Sequence, residues 1–111
     1  MPPLNGVKVK LGGETRVLRY TNRSLVALEM QSGCTMAELA GNLARGSFKT
    51  VAELVWAGLL HADPRLTVDA VVEMIDLREI AALGDGVRQA MDMALGPEQP
   101  ESSEGKAPAV A

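Results

Sequence analysis

Phe48–His61, FKTVAELVWAGLLH, is the stretch on which the fold turns. Thr50 followed three residues later by Glu53 reads as a capping box, in which each side chain satisfies a backbone N–H left unpaired at a helix start. Val51, Leu54, Val55 and Leu59, with Trp56 and Leu60 one turn apart, form a broad apolar surface at helical spacing. His61 suits the negative end of the helix dipole, and Asp63-Pro64 stops the helix, because proline disfavours helical geometry in the residue before it. The chain is 47% hydrophobic but only 3% aromatic, so its one tryptophan, Trp56, is the largest packing block it has. The pattern predicts a central core helix with Trp56 inside it, in preference to Trp56 as an exposed interface anchor.

Outward from that helix, 111 residues allow one domain with a single core. No apolar run approaches the roughly 18 residues of a membrane span. The opening MPPLNGVKVK lacks the apolar core of a secretory signal, and one cysteine, Cys34, forms no internal disulfide. Both favour a cytoplasmic setting. A net charge of −3 and a pI near 5.1 argue against general nucleic-acid binding. The charge is uneven: residues 1–28 carry five basic side chains against one acidic, and residues 29–111 six against thirteen. Such asymmetry steers docking to a partner or attracts copies head to tail, although ordinary solvated charge is the favoured reading.

Val7, Val9 and Leu11 alternate with Lys8 and Lys10, a half-buried strand pattern. Gly12-Gly13 tolerates the positive φ of a tight turn, and Glu14–Tyr20 reads as the return strand. In that register Val7, Val9, Leu11, Leu18 and Tyr20 face the core. Lys8, Lys10, Thr15 and Arg19 face outward, with Val17 the one apolar exception. The hairpin needs helices beneath it, and its edges stay open unless something pairs with them.

Thr21 or Asn22 caps a helix to about Gln31, with Leu25 and Leu28 inward, Val26 a candidate third, and Gly33 at its end. Thr35-Met-Ala-Glu38 is a second capping box opening a helix to about Ala44 that buries Met36, Leu39, Ala40 and Leu43. Thr67 caps a helix through about Asp76, followed by a helix-favouring stretch that buries Ile80 and Leu83. Gly84-Asp85-Gly86 then reads as an interruption, with Asp85 capping a last helix, Val87–Leu95, that turns Val87, Met91 and Ala94 inward. Residues 1–6 lack a pattern and read as flexible. Residues 96–111, rich in Pro, Glu and Ser, have little to bury and read as a disordered tail. The expected fold is α+β and mostly α: a single domain over residues 7–95, with an N-terminal β-hairpin packed on four or five short helices.

Each candidate for chemistry has a plainer reading beside it. His61, Asp63 and Cys34 contain the residue types of a nucleophilic triad, but nothing local marks nucleophile, base or orienter. His61 reads better as a helix-end residue and Cys34 as a partly buried thiol. One Cys and one His do not make a soft-metal site within one chain. Asp69, Glu73 and Asp76 fall at i, i+4 and i+7 on one helical face. Hard cations usually need further oxygen ligands in a shaped loop, so a solvated outer face is favoured. Gly12-Gly13 lies in neither a P-loop nor a dinucleotide fingerprint. The expectation is a chain without catalytic residues, cofactor or metal.

The order of motifs carries a family resemblance. VKVKLGGETRVLRYT (7–21) leads into LVALEMQSG (25–33). Then come TMAELAGNLARG (35–46), VAELVWAGLLHADPRLTVDAVVEMID (51–76) and GVRQAMDMAL (86–95). This order resembles the small tail assembly chaperones of long-tailed phages, prophages and gene transfer agents, over roughly residues 7–95. The resemblance implies a non-enzymatic helper in the host cytoplasm, absent from the finished particle. Such a helper keeps the tape-measure protein soluble and helps recruit tail-tube protein, in many such phages with a longer form made by translational frameshift. It implies no membrane or nucleic-acid partner. A long helical tape-measure protein exposes apolar stripes that aggregate unless covered. Two contact surfaces are expected: the basic hairpin face with Lys8, Lys10 and Arg19, and apolar helical surface left uncovered. The open edge leaves homo-oligomers available. The alternatives are a head–tail or tube-end completion protein retained in the particle, and a small regulatory nucleic-acid-binding protein using the basic hairpin.

Overall fold

A computed structural model describes residues 6–95. Val7–Leu11 (β1) and Glu14–Leu18 (β2) form an antiparallel hairpin. Five helices follow: Asn22–Ser32 (α1), Met36–Ala44 (α2), Phe48–Leu59 (α3), Val68–Met74 (α4) and Ile80–Leu95 (α5), with a 3-10 turn at Leu77–Glu79 before the last. The architecture is α+β and mostly α, as the pattern predicts. The expected flexible N-terminus, Gly6 excepted, and the expected disordered tail lie outside the described residues.

Gly12 and Gly13, at φ of 63° and 79°, close the two-residue turn. The register pairs Val7 with Leu18, Val9 with Arg16 and Leu11 with Glu14. Val9, Leu11, Leu18 and Tyr20 are buried as expected, with Val7 half-buried beside them. Arg16 shares their face; its guanidinium escapes by donating to the Leu11 carbonyl at 3.2 Å and pairing with Glu14 at 3.3 Å. β2 ends at Leu18, short of the expected Tyr20, and beyond it the Arg19 N–H donates to the Gly58 carbonyl of α3, 2.9 Å away.

α3 is the axis of the domain: every residue from Thr50 to Leu59 is buried. α1 and α4 pack on it, and the hairpin rests across α3 and α5. Two helical glycines make that seat. A Cβ on Gly58 would lie 3.0 Å from Leu18 Cδ2, and one on Gly86 only 2.4 Å from Val9 Cγ1. Tyr20 is buried, its hydroxyl donates to the Leu54 carbonyl, and burial pushes the phenol pKa above its ordinary value. Trp56 is buried as predicted, with its indole N–H donating to the Leu66 carbonyl at 2.7 Å.

Several expectations are corrected. α3 starts at Phe48, because Ser47 is the cap and accepts from the Thr50 N–H; Glu53 is buried and pairs with Lys49 at 3.0 Å. Gly84-Asp85-Gly86 does not interrupt anything: α5 runs unbroken, and Gly86 is there for close packing. α4 ends at Met74, where Ile75 becomes extended (ψ 126°). Val26 is 58% exposed, and Ala40 and Ala94 also point outward.

Candidate functional site: a basic hairpin edge and an apolar groove

The outward face of the hairpin carries Lys8, Lys10 and Arg19, all exposed. None makes an ion pair among the described residues. Alternation places them together, because the opposite face must bury Val9, Leu11 and Leu18. Val17, between them, is half-covered by Gly6, where a Cβ would lie 2.4 Å from Val17 Cγ1.

The two edges of the hairpin differ. In a two-residue hairpin Leu11 and Glu14 exchange hydrogen bonds, so the backbone groups of Lys8, Lys10, Thr15 and Val17 point away from the ladder. On the β2 side the Val17 carbonyl accepts from His61 Nε2–H at 2.8 Å. The carbonyl can only accept, so Nε2 bears the proton. Together with the Arg19–Gly58 bond, this ties the far end of β2 to α3. The outward N–H and C=O groups of Lys8 and Lys10 have no hydrogen-bond partner among the described residues.

On the helical side an apolar groove of about 240 Å³ opens between α2 and α5. Met36, Leu39, Ala40 and Leu43 form one wall, Met91 and Leu95 the other, and buried Leu54 of α3 the floor. Arg88, held by Asp85 at 3.1 Å, and Asp92 stand at its rim. α2 packs chiefly on α3, so its wall is only partly covered: Met36 and Leu43 are half-buried and Leu95 is 62% exposed. Flexible methionines let such a groove adapt to the shape it receives.

The residues with catalytic or metal-binding side chains lie apart. His61 lines a recess with Thr21 and Ser24 at the start of α1, whereas Cys34 follows the end of that helix, about 16 Å of helical rise away. The Cys34 thiol contacts the Ser32 carbonyl at 3.6 Å, and Asp63 accepts from the Arg65 N–H at 3.2 Å. The carboxylate row breaks after Glu73: Asp76 lies beyond α4 and caps the 3-10 turn. Hydrogen bonds from the Arg78 side chain and backbone N–H hold its carboxyl below the usual carboxylate range. Among the described residues no three His, Cys, Asp or Glu side chains cluster as a metal site.

Comparison with protein-family models, curated proteins and solved structures found no match to this chain. The seat glycines and the groove were not read from the sequence. Gly58 inside an apolar helix was a usable sign of close approach, since glycine there costs about 1 kcal/mol against alanine. The groove had no comparable sign: the apolar stripe of α2 marks a surface to be covered and does not say by what.

Proposed function

We propose that this chain is a non-enzymatic tail assembly chaperone of a phage-like particle, acting in the host cytoplasm on the tape-measure protein and helping to recruit tail-tube protein. The motif order over residues 7–95 supports the reading. The observation that carries it furthest is the open, methionine-containing groove between α2 and α5, a surface suited to the apolar stripe of a partner helix. Lys8, Lys10 and Arg19 form the second proposed contact, remote in sequence from the groove.

Ala40→Glu tests the groove, because Ala40 lines it yet is exposed enough to take a carboxylate without disturbing the core. Co-expressed with the tape-measure protein, the variant should melt like the parent and recover much less soluble complex. Equal recovery by the variant would remove the groove from the mechanism. Detection of the chain in purified particles by mass spectrometry would favour a structural component over an assembly factor.

A further inference from the structure

From the unequal edges of the hairpin we infer that β1 is a docking edge for an extended acidic segment of another protein, with carboxylates at alternate positions facing Lys8 and Lys10. This edge deepens the hairpin contact proposed above, is separate from the groove, and selects its ligand by chemistry that does not depend on the partner's biological role.

The backbone supplies half of the recognition. Lys8 and Lys10 present N–H and C=O groups outward in strand geometry, with no partner among the described residues, while the far end of the β2 edge is occupied, the Val17 carbonyl by His61 and the Arg19 N–H just past the strand by Gly58. An added strand would satisfy these groups by main-chain pairing, which needs no particular side chains. Charge supplies the other half. Lys8 and Lys10 project to the same face, and neither meets a carboxylate within ion-pair distance among the described residues. A strand bringing Glu or Asp at positions j and j+2 places one acid opposite each lysine, and the residue between points toward the apolar side with Val9.

The same lysines disfavour self-pairing. Two β1 strands pairing antiparallel about Val9 set Lys8 of one against Lys10 of the other; parallel in-register pairing sets each lysine beside its copy. Like charges directly opposite are unfavourable. The site is also bounded: Asp76, paired with Arg78 at 3.0 Å, and Glu79 line a recess with Lys10 at the hairpin tip, so a third acid beyond Lys10 meets the Glu79 carboxylate. The chemistry therefore selects a short segment with two alternating acids over a polyacidic run.

The probe is a synthetic peptide, Ser-Glu-Val-Glu-Val-Ser, beside a counterpart with Lys in place of Glu, each added to the isotopically labelled full chain at low salt. Amide hydrogen exchange read by NMR should slow roughly tenfold or more at Lys8 and Lys10 with the Glu peptide and stay unchanged with the Lys peptide; high salt should weaken the effect. Lys10→Pro removes one outward N–H without touching the β1–β2 ladder and should abolish the protection read at the Lys8 amide. Lys8→Glu/Lys10→Glu keeps every backbone group and should reverse the preference between peptides, so the test stands even if the proline variant misfolds. Absence of binding, equal protection by both peptides, or Glu-peptide binding that leaves the Lys8 and Lys10 amides unprotected would each overturn the inference. Protection of these amides without peptide, rising with chain concentration, would replace it with self-association.

Discussion

Gly84 and Gly86 sit two positions apart in α5 with opposite demands on them. A Cβ at Gly86 would press on Val9 Cγ1, whereas a Cβ at Gly84 would meet nothing within 4 Å. Alanine gains about 1 kcal/mol of helix propensity at either site. At Gly86 overpacking a core that includes a stiff β-branched side chain costs about 1–3 kcal/mol, which outweighs the gain. Gly86→Ala should therefore lower the thermal midpoint by several degrees and Gly84→Ala should raise it, both followed by circular dichroism. Equal midpoints for the two variants would mean that the hairpin does not seat on Gly86.

Among the elements, the start of α3 separates two readings of the same residues. Ser47 accepts from the Thr50 N–H at 3.1 Å, so Ser47→Ala should cost about 1 kcal/mol in denaturant unfolding. An unchanged midpoint would return the cap to Thr50. The neighbouring box at Thr35 and Glu38 forms as its spacing predicts, with both reciprocal bonds present at 2.8 and 3.1 Å. The difference is physical. Thr50-x-x-Glu53 has box spacing, but Glu53 is turned into the domain and neutralised by Lys49, a tertiary circumstance that a four-residue window does not contain. The hairpin was legible to the register because alternation and a Gly-Gly turn are local. The continuity of α5 was not, since a glycine that breaks a helix and one that admits a neighbouring strand look alike in sequence. The outward faces of Lys8, Lys10 and Arg19 followed from alternation. The partial engagement of the β2 edge, at the Val17 carbonyl, depended on His61, 44 residues from Val17.

For the whole molecule, Trp56 pins the segment ahead of α4 to the central helix on which α4 also packs. Its ring is buried on α3 and its N–H holds the Leu66 carbonyl ahead of α4. Trp56→Ala should cost about 3–5 kcal/mol, against a total of about 5–15 for a domain of ordinary stability. The expected outcome is loss of the cooperative transition in calorimetry. Trp56→Phe, which keeps the ring and gives up the hydrogen bond, should retain cooperativity with a lower midpoint. A sharp transition in the alanine variant would place the ring outside the cooperative unit.

The seat of Val9 on Gly86 also sets a timetable. During translation the first strand leaves the ribosome while α5 has yet to be made, and a two-stranded hairpin by itself is marginal in water. In the folded hairpin Lys8 and Lys10 put charge along the β1 edge, one of the devices that blunt edge-to-edge pairing. The final packing of β1 thus waits on α5, about 75 residues further along the chain, because Gly86 supplies the space that Val9 fills.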